Sequence, residues 1–103
     1  MFVFSVNAKA REPKEGVEVG EQVPFIVYIN FQDMFGAEQL CKIYLMRSGF
    51  TEIDIENRKM IAPKLLKDKR VVQADKAMKE ALDTGYMIQM FEAWLAGLKN
   101  KYY

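Results

Sequence analysis

Apolar and polar residues alternate from the second position onward. Phe2, Phe4, Val6 and Ala8 fall on one side, and Val3, Ser5, Asn7 and Lys9 on the other. A period of two marks a half-buried strand, because successive side chains of an extended chain point to opposite faces. This pattern predicts a strand over residues 2–10. A polar connection runs from Arg11 to Gln22, with Pro13, Gly16 and Gly20 among the acids Glu12, Glu15, Glu18 and Glu21. It is long for a hairpin loop, and Val17 and Val19 suit a short extended piece within it. From Val23 to Phe31 the chain is apolar on both sides: Phe25, Val27, Ile29 and Phe31 against Ile26, Tyr28 and Asn30. A strand apolar on both faces is normally central in its sheet, and Pro24 is tolerated at its start.

The period changes after Asp33. Ala37, Leu40, Cys41, Tyr44 and Leu45 recur at spacings of three and four, which predicts a helix with Asp33 as its N-cap. Gly49 fits the left-handed position that ends such a helix, with Phe50 returning toward Leu45. Thr51–Glu56 then reads as a one-sided strand, with Ile53 and Ile55 inward and Glu52, Asp54 and Glu56 outward. A basic stretch follows Pro63, and a second helix is expected from about Ala74 to Thr84, with Ala77, Met78, Ala81 and Leu82 inward and Gly85 as its stop. Two readings compete for the tail. As a strand, Tyr86–Phe91 would complete the sheet. As a helix, Met87, Met90, Phe91, Trp94, Leu95 and Leu98 form a continuous stripe. The break at Gly85 favours a strand just after it and a helix from about Ala93.

These elements predict a single α+β domain over residues 1–103, with residues 99–103 as a fraying tail. The expected architecture is a two-layer sandwich: a small, mainly antiparallel sheet of three or four strands, covered on one face by two or three helices. A ferredoxin-like or related split β-α-β topology is the leading arrangement.

Composition narrows the chemistry more than it defines it. Half of the 103 residues are hydrophobic and 28% are charged, which is the balance of a folded domain. There is no histidine, so the usual general base near neutral pH and the commonest metal ligand are both absent. The single cysteine, Cys41, sits on the apolar stripe of the first helix with no imidazole to activate it, and reads as a small core hydrophobe. No catalytic residues, metal ligands or cofactors are expected. No apolar run approaches the roughly 20 residues needed to span a bilayer, and the opening residues Met1–Val6 lack the basic region and small-residue cleavage site expected of a secretory signal. A cytoplasmic protein that does not enter membranes is expected.

Charge is balanced overall at +1 but unevenly placed: residues 1–57 sum to −4 and residues 58–103 to +5. Glu52, Asp54 and Glu56 recur at two-residue spacing on one strand face. A straight strand sets them about 7 Å apart, too far to share one ion. They read as a solvated face that discourages edge pairing, or as an acidic docking strip for a basic partner. Phe91 and Trp94, on the Met- and aromatic-rich tail, suit core packing, a partner surface or a homodimer face.

Lys64, Lys67, Lys69 and Arg70 concentrate positive charge opposed only by Asp68. Such a run can grip phosphates, but it lacks a glycine-rich phosphate loop or the paired aromatics of an RNA-binding strand.

Three functions follow from these features. The first is a non-catalytic protein-binding module, of the inhibitor, immunity, anti-defence or adaptor kind, using Glu52, Asp54, Glu56, Phe91 and Trp94. The second is a nucleic-acid-binding accessory protein using Lys64, Lys67, Lys69 and Arg70. The third is a small enzyme relying on carboxylate, lysine or tyrosine chemistry alone.

Overall fold

The computed structural model describes residues 1–14 and 16–90. They form strand β1 (Phe2–Ala10), strand β2 (Gln22–Ile29), helix α1 (Met34–Arg47) and strand β3 (Phe50–Met60), then three short helices, α2 (Pro63–Leu66), α3 (Lys69–Ala74) and α4 (Lys76–Thr84), and strand β4 (Tyr86–Met90). The strands make one antiparallel sheet in the order β3-β1-β2-β4, an α+β fold.

Strands β2 and β3 are both antiparallel to β1 and therefore parallel to each other, with β1 between them. Together with α1 they make one split β-α-β unit. The complete ferredoxin-like wiring runs β-α-β-β-α-β, whereas this chain opens with the β1–β2 pair and places both helical segments later.

The period-two pattern of β1 seals one face of the sheet. Phe2, Phe4, Val6, Ala8 and Ala10 pack with Val23, Phe25, Val27 and Ile29 beneath Ala37, Cys41 and Leu45 of α1. At one end of this core Phe50 meets Phe25 edge-on, ring centroids 4.8 Å apart. Local signals fix the limits of α1. The Asp33 carboxylate accepts from Gly36 N–H at 2.8 Å, and Gly49 takes φ 96° where the helix ends. The helix spans the sheet diagonally: Glu38 reaches Arg58 on β3, and Tyr44 stacks on Tyr86 of β4.

The helices do not share one face. Val3, Tyr28 and Met87 lie on the opposite face of their strands, where they pack with Met1, Ile61, Leu66 and Val72 against Met78 and Ala81 of α4. The single helical layer expected from the sequence is thus corrected to α1 on one side and α2–α4 on the other. The cause is the two-sided apolarity of β2, together with Val3 and Met87, which gives the second face hydrophobic surface that also has to be covered.

The connection over residues 11–22 is tied down by backbone bonds from Gly20 N–H to Ala10 and from Arg11 N–H to Gly49. Val17 is buried within it, whereas Val19 is exposed. The expected strand after Gly85 is present as β4, and Gly85 takes φ 102° at the end of α4. Phe91, Trp94 and the helix expected from Ala93 lie outside the described residues. No helix among the described residues is long and apolar enough to cross a membrane.

Candidate functional site

Strand β3 lies at a sheet edge, bonded to β1 on one side, and it carries all three carboxylates singled out in the sequence. It is not a straight strand. Its register with β1 shifts twice, once between Ser5 and Val6 and again between Asn7 and Lys9. The first shift accommodates Glu56 as an extra residue. The second falls at Glu52 and Ile53, where Glu52 adopts φ 48°, a left-handed conformation that is uncommon for a residue with a side chain.

These bulges turn the acids toward β1. The Asn7 amide donates to Glu56 at 2.6 Å, Glu52 lies 3.0 Å from the Lys9 ammonium, and Asp54 stands opposite Asn7 in the register. Bulges of this kind also spoil the flat edge on which another strand would pair. Among the described residues, no three acidic or thiol groups converge closely enough to hold a metal ion.

At the other end of β3 the surface becomes apolar. Met60 is 61% exposed and Phe35, in the first turn of α1, is 74% exposed. Phe31 is also exposed, and its ring lies against Gly36. The Phe31 ring thus rests on the first helical turn at Gly36. The ion pair between Glu38 and Arg58 ties α1 to β3 within one turn of Phe35 and two residues of Met60. Phe31 after β2, Phe35 in the first turn of α1 and Met60 at the end of β3 are thus large apolar side chains left exposed, and Met60 also lines the cleft on the α2–α4 side.

The sequence pattern groups Phe31 with β2 and does not mark Phe35 or Met60 as exposed. The available signal was the phase of Phe35. It falls off the Ala37–Cys41–Leu45 stripe, on the outer side of the helix.

The basic residues are divided between two short helices and the turn that joins them. Lys64 lies in α2 and Lys67 just after it, while Lys69 and Arg70 open α3. Arg70 is paired with Asp68 at 3.4 Å, and Arg70 holds the Asp68 carboxyl below its ordinary pKa. Lys67 and Lys69 line a shallow groove together with Lys79 of α4, a residue the sequence did not single out.

A deeper cleft of about 380 Å³ lies between the sheet and α2–α4. Val3, Tyr28, Ile61, Leu65 and Met78 form most of its lining, and Lys59 and Asp75 supply charge. The Tyr28 hydroxyl donates to Asp75 at 3.3 Å, and the same carboxylate caps α4 by accepting from Met78 N–H at 3.0 Å. Burial raises the Tyr28 pKa first, and the neighbouring Asp75 charge and hydrogen bond raise it further.

Cys41 is fully buried under the sheet. Burial pushes its thiol up to about 12, with Glu38 adding to the shift and Lys42 opposing it. It is therefore held as a neutral thiol, the unreactive form. No family model matches the chain, and neither a curated protein nor a solved structure matches it.

Proposed function

We propose that the protein is a non-catalytic protein-binding module that engages its partner along the β3 edge and the start of α1. The observation that supports this reading is the exposure of Phe31, Phe35 and Met60. Three large apolar side chains stay exposed beside a core already closed beneath them. Exposed large apolar side chains at a sheet edge favour contact with another protein. The carboxylates at Glu52, Asp54 and Glu56 continue the same strand, and would select a partner that sets basic residues beside an apolar anchor. The test is affinity capture from the native host's lysate with nuclease present, using wild type, Phe35→Asp and the triple charge reversal of Glu52, Asp54 and Glu56 to Lys. A stoichiometric partner that is lost with Phe35→Asp and weakened by the reversal is expected. Recovery of the same proteins by all three baits would overturn the assignment of this surface.

A second reading rests on Lys67, Lys69 and Lys79 around one groove. If nucleic acid is the ligand, recovery collapses with nuclease and binding weakens steeply between low and physiological salt.

A further inference from the structure

We propose that the cleft between the sheet and α2–α4 binds a small apolar carboxylate, with its hydrocarbon body against Val3, Ile61, Leu65 and Met78 and its carboxylate on Lys59. The cleft's volume of about 380 Å³ and its mainly apolar walls, with a few polar groups, are those of a small-molecule site.

The polar groups are not equivalent. Asp75 accepts from Met78 N–H and from the Tyr28 hydroxyl, so the Tyr28 O–H is already engaged and offers no donor to an anion. Lys59 is the opposite case. It sits directly across from Val3 in the β1–β3 register, which projects it onto the cleft side of the sheet. It has no ion-pair partner among the described residues.

The two charges are also separated. Lys59 is on β3, while Asp75 hydrogen-bonds Tyr28 on β2. With β1 between them, those strands stand two spacings, or about 10 Å, apart. Lys59 and Asp75 line the same cleft without forming an ion pair. A single ammonium with no cradle of backbone N–H groups suits a monoanion with an apolar body, because burial of that body supplies the rest of the attraction.

The test is a titration of the full chain with octanoate, followed by amide chemical shifts, with 1-octanol as the uncharged probe. Saturable shifts centred on Val3, Ile61 and Leu65 are expected. Lys59→Glu should weaken octanoate by about tenfold or more, the effect of losing a charge-assisted contact, while leaving 1-octanol unchanged. Lys64→Glu makes the same change in net charge on α2 outside this lining, and should leave octanoate binding intact. Absence of saturable shifts in the cleft overturns the proposal. So does an octanoate affinity indifferent to Lys59→Glu, or equally reduced by Lys64→Glu.

Discussion

The sheet's two faces are built to different standards. Beneath α1, Phe4, Val6, Val23, Val27, Ala37, Cys41 and Leu45 are essentially inaccessible, and no buried side-chain polar atom there or elsewhere among the described residues lacks a partner. Beneath α2–α4 the sheet contributes one apolar row, Val3, Tyr28 and Met87, each only partly buried. The cover on that side consists of helices of four, six and nine residues rather than one of fourteen. Short helices add little stability of their own and depend on what they bury. One face therefore fixes the fold, while the other holds a cleft.

The largest test of this contrast is a pair of truncations read by urea denaturation. Leu45→Ala should cost about 3–4 kcal/mol, since a close-packed site cannot collapse around the missing atoms. Met78→Ala, beside an existing cleft, should cost only about 1–2 kcal/mol, below the usual range for a sealed core. Equal losses would break the distinction.

Alkaline titration sharpens it through Cys41. The native thiol keeps its proton up to about pH 12, while the unfolded thiol releases it near its ordinary value of about 8.5–9. Above that value the unfolded state holds fewer protons, so stability falls as pH rises toward 12. The slope should flatten in Cys41→Ala, whose lower starting stability is a separate cavity effect. Tyr28 is shifted in the same direction, so its contribution is likewise lost at pH values above about 10.

On the cleft side, Asp75→Ala removes the α4 cap and the Tyr28 partner together. A loss of about 1 kcal/mol is expected from the cap. Spectrophotometric titration should show the Tyr28 pKa moving back down toward its ordinary value. The smallest effect belongs to the exposed edge: Glu52→Gln, which breaks the pair with Lys9, should change stability by less than about 0.5 kcal/mol.

How much of this was legible in the sequence follows the same division. Residues under α1 announce themselves because one side of each element does nearly all the burying. The alternation of β1 and the Ala37–Cys41–Leu45 stripe follow their periods, and Asp33, Gly49 and Gly85 mark the boundaries by cap chemistry. The second face has no such periodicity to read. Helices α2 and α3, of four and six residues, are too short to complete a stripe. The last four residues of β3, Asn57–Met60, carry no alternation, and it is their pairing with Phe2–Ser5 that holds them extended.

The candidate sites divide likewise. The spacing of Glu52, Asp54 and Glu56 was visible, but the bulges that turn two of them onto Asn7 and Lys9 were not. The cleft joins Val3, Tyr28, Lys59 and Met78, residues distant in sequence that only strand register and the α2–α4 cover bring together.

Native-state amide hydrogen exchange tests the two-tier account most directly, because it ranks local opening against global unfolding. Amides in β1, β2 and the middle of α1 should exchange only through global unfolding. Those of α3 and α4 should exchange through a smaller opening, with a weaker denaturant dependence. Protection in α4 equal to that in α1, with the same denaturant dependence, would contradict the account and make the cleft side an equal partner in a single cooperative core.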